Sequence, residues 1–435
     1  MTIKVEYTKE PTKEDIQKFY DFCKEAVNNA EISSYLEACV RCGLCFEACH
    51  FAVSENISGK MRPELVPAYK ADLLREIYKE NYTILGRIKK ALGLGVKLTP
   101  EKLKEQKFLV YDTCTNCDRC ARVCPMGIET PKLTSIVRGA LSVARQAPED
   151  IVNAANAALE TGSPFGIDKD TYINMLQDIS KKFNVEIPLD KENSDYLYIT
   201  TSLDLTQSPN SIAAAAKILN KAKINWTMST IAREGSNMGV FLGRKDIQKE
   251  LGKRILDGAR KLGAKYLIYA ECGHGYNFLR YTAPNLFEDW DLEVILIDEL
   301  VYKLIKEGKL KINKKPLKQT STIHYSCQIG RRGGLTKIPR ELTKMISQDY
   351  VDSVDKAEKN LCCGGGGGVV INESAQEHMK KAFLLKIEQY DKVNAKQIIT
   401  YCANCQLVLD MNSKEFNRSY QIKSLIDALA EAVEE

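Results

Sequence analysis

At 435 residues the chain is too long for one ordinary core and calls for two or three domains. Its 44% hydrophobic and 27% charged residues describe a soluble globular protein, and no uncharged apolar run approaches the ~18 residues of a membrane-crossing helix. A net charge of +5, from 62 basic and 57 acidic residues, leaves no electrostatic footprint for nucleic acid, so no nucleic-acid partner is expected.

In chain order, PTKEDIQKFYDFCKEAVNNA at residues 11–30 places Ile16, Phe19, Tyr20, Phe22 and Cys23 at near-helical spacing behind a Pro and Thr start, which predicts an amphipathic helix. KADLLREIYKENY and ILGRIKKALGLG extend the helical pattern through residues 51–110. The second of these is basic and amphipathic, suited to a packing face on its own domain or a partner subunit, with a membrane surface as the alternative. Further helices, TSIVRGALSVARQ and EDIVNAANAALE, lead to a polar stretch with Gly and Pro near residues 161–167. Beyond it strands and helices alternate: DYLYITTS, SIAAAAKILNKA, INWTMST, KYLIYAEC, EVILIDEL, TIHYSC and QIITYC. That alternation predicts an α/β sheet domain.

Fifteen cysteines stand out, thirteen of them in three groups at 39–49, 114–124 and 327–405. The N-terminus MTIKVEYTKEPTKED carries no apolar signal segment, so the thiols are expected to act as metal ligands in a reducing cytoplasm rather than as disulfides. Cys39-x2-Cys42-x2-Cys45-x3-Cys49 and Cys114-x2-Cys117-x2-Cys120-x3-Cys124-Pro125 have the spacing of a two-cluster ferredoxin. Short spacers let three thiolates take three corners of a 4Fe-4S cube, while the fourth cysteine of each run reaches the other cube. Cys39, Cys42, Cys45 and Cys124 are thereby assigned to one cluster, and Cys49, Cys114, Cys117 and Cys120 to the other. Structural zinc also uses four thiols, but this spacing occurring twice favours iron. The 64 residues between Cys49 and Cys114 are helical and too long for a small βαββαβ ferredoxin. They resemble the α-helical ferredoxin arrangement of fumarate reductase and heterodisulfide reductase subunits. His50, where a Pro often follows the fourth cysteine, is a packing histidine or a donor to cluster sulfur.

Cys327, Cys362-Cys363 and Cys402-x2-Cys405 form a set that no cubane requires. HYSCQIGRRGG, LCCGGGGG and YCANCQ resemble the CCG domain, the cysteine-rich module of heterodisulfide reductase and its relatives. The likeness covers roughly residues 190–425, with the ferredoxin domain in front as in the fused, membrane-partnered type of catalytic subunit. It implies a noncubane 4Fe-4S cluster held by these five cysteines, with irons open to the sulfur of a substrate. The glycines after Cys363, Gly364 and Gly365 first, give the sharp turn that adjacent ligands need. A phosphate cradle is the alternative for that loop, but no Gly-Lys-Ser/Thr follows it. Ser374 and Glu377 are positioned for a capping box on the helix that comes next. His324, Gly330 and Arg331 match the family pattern around the first cysteine, whereas Tyr325 and Ser326 replace its Asp and Pro.

The cysteine spacing also repeats in diluted form. Thr200, Glu234 in EGSNMG and Cys272 in CGHG stand at nearly the intervals that separate Cys327, Cys362 and Cys402, so the α/β region reads as a duplication whose first copy has lost most of its cysteines. A single intact module beside a degenerate one looks most like DsrK-like proteins and the heterodisulfide reductase-like proteins of sulfur oxidisers.

These readings combine into an α + α/β chain. Residues 1–150 form an N-terminal α-helical ferredoxin domain with two 4Fe-4S clusters and 151–189 a linker. Residues 190–310 are the degenerate half and 311–435 the intact half of a duplicated α/β CCG-type domain. The expected function is that of a catalytic iron-sulfur subunit in a heterodisulfide reductase-like complex acting on a disulfide, persulfide or carrier-bound sulfur. The alternative is an electron-relay subunit of a flavin-dependent glycolate, lactate or glycerol 3-phosphate dehydrogenase. His274, Glu234 and Cys272 are expected to line the substrate cavity from the degenerate side and supply protons, and Arg331 to attract an anionic substrate. Partners follow from the resemblance: other complex subunits, among them a flavoprotein or a membrane quinone-linked subunit, and a sulfur-carrying small molecule or carrier protein. The chain itself is expected in the cytoplasm, at a membrane only through a partner.

Overall fold

The computed structural model describes residues 3–57, 59 and 62–433. The chain forms two compact units that interleave along the sequence: residues 1–156, 239–245 and 364–385 make the first, and 157–238, 246–363 and 386–435 the second. Among the described residues no helix is long and apolar enough to cross a membrane.

The first unit is helical, without a strand among its described residues. Its opening helix, Lys13–Ala26, starts where expected: Thr12 and Asp15 cap each other reciprocally, and Phe19 and Cys23 turn into the core. Arg145 donates to both oxygens of buried Asp15, at 2.9 and 2.8 Å, and holds that carboxyl far below the usual range. This helix packs against Thr130–Val143. Gly139 on the latter helix and Gly243 of the returning segment meet backbone to backbone; a Cβ on Gly139 would stand 2.7 Å from the Gly243 carbonyl. The helix Ile84–Ala91 buries none of its residues, and Ile84, Leu85, Ile88, Leu92 and Leu94 present an exposed apolar row.

In the second unit, the strands are β1 (Tyr196–Ile199), β2 (Trp226–Thr227), β3 (Tyr266–Tyr269), β4 (Glu293–Leu296), β5 (Leu317–His324), β6 (Ser347–Tyr350), β7 (Gln397–Thr400) and β8 (Gln421–Ser424). They build two four-stranded sheets, ordered β2-β1-β3-β4 and β6-β5-β7-β8, parallel throughout. Each position in one order has its counterpart in the other. The register refines this correspondence. Ile199 pairs with Tyr269 and His324 with Thr400, which matches Cys327 with Ser202 rather than with Thr200.

Two local readings change. EVILIDEL is a strand only to Leu296, because Glu299 reaches back to the Leu296 N–H at 3.0 Å and starts the helix Ile297–Lys306. Ser374 forms no capping box with Glu377. Its hydroxyl donates to Asp112 and to Asn372, both at 3.0 Å, the helix begins at Gln376, and Glu377 pairs with Lys381.

Candidate functional site

In a parallel sheet all strands end at one edge, and the loops that leave this edge meet. Cys327 follows β5, Cys362 and Cys363 follow β6, and Cys402 and Cys405 follow β7, so three neighbouring strands deliver all five thiols to one place. All five are buried. Cys327 Sγ lies 3.9 Å from Cys362 Sγ. A ring nitrogen of His324, Cys363 Sγ and Cys405 Sγ lie within 4.8 Å of one another. Cys402 is drawn down to about 7, chiefly by the hydrogen bond from Cys405, with the backbone N–H groups of Cys405 and Gly273 and the Ser326 hydroxyl adding to it against burial. Hydrogen bonding to Cys363 and Cys402 instead pushes the Cys405 thiol well up. So many soft donors converging in a dry site, without a disulfide among them, fit an iron-sulfur group.

The turn that carries Cys362 and Cys363 is held from behind. Arg331, buried on the wide π-type turn Cys327–Arg332, donates from Nε to the Glu358 carbonyl at 2.7 Å and from its other arm to the Asn360 carbonyl. Asn360 in turn donates to the Tyr325 carbonyl at 2.7 Å and accepts from buried Lys386 at 2.7 Å. These contacts of Arg331 shape the ligand loop. Past Cys363 the chain bends through Gly364, Gly367 and Gly368, all at positive φ, with Gly365 between them.

That glycine loop belongs to the first unit. A Cβ on Gly367 would meet the Thr115 backbone at 3.0 Å, between Cys114 and Cys117, and the Gly367 carbonyl accepts from Arg138 at 2.6 Å. Arg138 also donates to the Cys114 carbonyl at 2.7 Å and to that of Val110 at 2.8 Å. The loop that starts at two thiols of the C-terminal set therefore packs on the second ferredoxin-type motif.

In the same unit, Cys39, Cys42, Cys45 and Cys124 line one cavity, with Cys120 at its rim. Cys49 feels the charges of Cys117 and Cys114, and Cys120 those of Cys117, Cys114 and Cys49. Sequence reading missed Lys70. It is buried, donates to the Thr113 carbonyl at 2.5 Å, and its charge favours the Cys49 thiolate. A lone Lys beside Tyr69 carries no signal until the fold brings it to a residue 43 positions along the chain.

The degenerate half repeats the strand-end pattern with other chemistry. Ser202 follows β1, Glu234 follows β2, and Cys272 and His274 follow β3. Where the intact half sets Cys327 beside Cys362, this half sets Ser202 against Glu234. The Glu234 carboxylate accepts from the Ser202 N–H at 2.7 Å and from its hydroxyl, and from the N–H and hydroxyl of Ser236 at 2.7 and 2.5 Å. Burial pushes Glu234 up while those donors pull it down. These donors all lie in its own half. Cys272 and Gly273 do reach the thiol set. Burial and then Cys402 push the Cys272 thiol up, and the Gly273 N–H bonds to Cys402. No side chain fits at Gly273, where a Cβ would stand 2.8 Å from that of Gln328. His274 is half-buried on the short helix Gly273–Asn277, which packs on the Cys327–Arg332 turn.

Two family models match parts of the chain. Residues 35–128 match the 4Fe-4S dicluster domain, and residues 321–410 match the cysteine-rich CCG domain. The chain is 25% identical over 425 residues to an Hdr-like menaquinol oxidoreductase iron-sulfur subunit 2 of Archaeoglobus fulgidus, covering 86% of this chain and 75% of the relative. It is 27% identical over 410 residues to a subunit of the dihydromethanophenazine:CoB--CoM heterodisulfide reductase of Methanosarcina barkeri, covering 92% and 94%. Against an EtfAB:quinone oxidoreductase of Syntrophomonas wolfei the identity is 26% over 431 residues, covering 92% of this chain and 58% of that protein.

Proposed function

For a heterodisulfide reductase-related iron-sulfur protein, which this chain is by its two domains and its relatives, we propose the role of catalytic subunit in an Hdr-like complex, passing single electrons between two cubane clusters and a sulfur-handling site at the five C-terminal thiols. The observation that carries this reading is the convergence of Cys327, Cys362, Cys363, Cys402 and Cys405 at one sheet edge, in a buried site. When bound, the clusters supply one-electron carriers and, at the five-thiol site, irons open to sulfur.

The chain's own residues do the rest. Thirteen thiols bind, Arg331 and Asn360 hold the paired-cysteine turn, and burial keeps water from the site. Cleaving an S–S bond takes two electrons and two protons and releases two thiols; the reverse reaction returns them. In this reading Cys272, kept as a neutral thiol by burial, and His274, on the helix that packs against Cys327–Arg332, hand over those protons. Glu234 steadies the wall behind them through Ser202 and Ser236.

A second reading keeps the electron path and removes the sulfur chemistry. The relatives named as menaquinol and EtfAB:quinone oxidoreductases favour it, as an electron relay between a flavoprotein and a quinone-linked subunit. One experiment separates the two. Iron and sulfide content with electron paramagnetic resonance on anaerobically purified protein should give about twelve irons in three four-iron groups, followed by turnover of organic di- and trisulfides and persulfides with a low-potential dye. Eight irons would remove the third site. Twelve irons with no sulfur turnover in the assembled complex would favour the relay.

A further inference from the structure

We propose that His324 is a non-cysteine contact of the C-terminal iron-sulfur site, donating a hydrogen bond from Nε2 to sulfur at the Cys363 and Cys405 corner. This rests on the reading that the five thiols hold a cluster. His324 closes β5 three residues before Cys327 and is fully buried. Its two nitrogens have different surroundings. Nδ1 lies 2.9 Å from the Tyr390 hydroxyl, whereas Nε2 has no hydrogen-bond partner among the described residues and no access to solvent. An imidazole N–H abandoned in a dry core is costly, so an unmatched ring nitrogen points to something that fills the space beside it. The ring stands close to sulfur: one of its nitrogens, Cys363 Sγ and Cys405 Sγ fall within 4.8 Å of one another.

The contact with Tyr390 bears on which nitrogen carries the proton. If Tyr390 donates its hydroxyl proton to Nδ1, the remaining proton sits on Nε2. Tyr390 is itself fully buried, its ring covered by the Lys386 ammonium at 4.8 Å, and Lys386 donates to Asn360 at 2.7 Å. A neutral Nε2–H can donate to a thiolate or to cluster sulfide, and such a bond strengthens as reduction adds negative charge to sulfur. It therefore raises the potential of the cluster. His324 is then a positioning and tuning residue, neither a ligand nor an acid.

The test uses the full chain, purified anaerobically with its clusters. In protein labelled with 15N-histidine, pulsed electron paramagnetic resonance of the third signal should show a weak nitrogen coupling, of hydrogen-bond rather than ligand size. His324→Leu should abolish it, keep the third cluster's irons, and shift its midpoint potential down while both ferredoxin-type signals stay in place. Tyr390→Phe, which removes the hydroxyl beside Nδ1, should shift the same midpoint down by less. Unchanged potentials in both variants, or no nitrogen coupling in the unaltered protein, overturn the inference. So does a strong coupling joined to loss of the third cluster in His324→Leu, which would make the residue a ligand. Should His324→Leu fail to fold, the coupling and Tyr390→Phe decide alone. Absence of any third signal in the unaltered protein would instead overturn the underlying reading of the five thiols.

Discussion

Lys70 shows how one buried charge can set a redox property. An ammonium that favours the Cys49 thiolate also favours the reduced, more negative form of whatever the Cys49 group holds. Lys70→Met is therefore expected to lower that cluster's potential by on the order of 59 mV, a tenfold change for one electron; a redox titration followed by its paramagnetic signal measures it. The C-terminal thiols belong to the other compact unit, so Cys363→Ala or Cys405→Ala should erase the third signal and sulfur turnover with both ferredoxin-type signals intact. Loss of all three signals would refute that separation. His274→Ala tests the proton side of the proposal. If His274 handles a substrate proton, turnover should fall by ~100- to 10,000-fold with a changed pH profile and an unchanged iron count.

At the scale of elements, the helix Thr201 opens gives a prediction about pH. Thr201 and Asp204 cap Ser202–Gln207 reciprocally, yet Asp204 is fully buried, and burial raises it to about 7. The folded state then holds a proton that the unfolded chain releases near 3.9. This contribution to stability is complete below that lower value and is lost as pH rises toward 7. Denaturant midpoints of the holo-protein should fall between about pH 5 and 7, and Asp204→Asn should flatten that slope. The exposed row on Ile84–Ala91 predicts a different pattern. Leu85→Glu with Ile88→Glu should change stability by no more than about 0.5 kcal/mol per site, because neither side chain is buried. If a partner subunit covers this face, the same pair should weaken co-purification of the complex. How well elements can be read depends on how much they bury. β1, YLYI, and β7, QIIT, carry apolar residues into the core, and the sequence announces them, whereas β5, LKQTSTIH, is polar for most of its length and buries only its second half. The edge strands β6, SQDY, and β8, QIKS, offer no apolar run or alternation and become visible only when their neighbours pair with them. Likewise, ligand spacing names the thirteen thiols, while nothing local reveals that Ser202 lies against Glu234, 32 residues away.

For the whole molecule, the order of the chain differs from the order of its compact units. The first unit takes back residues 239–245 and 364–385 after the chain has already entered the second. The two returns use small residues for close approach: Gly243 against Ser135 and Gly139, Gly367 against Thr115. Sequence alone does not reveal this, since GVFLGRK and the glycine run say only that something must come close. The return at 364–385 starts one residue after Cys363, and Arg138 grips it at Gly367. In mechanical terms residues 364–367 are a tether, fastened within the first unit at Gly367. A protease cut at Gly365 or Gly366 would slacken that tether while leaving every thiol in the chain. Nicked protein should therefore keep its iron at first, then lose electron delivery to the C-terminal site before it loses the cluster itself.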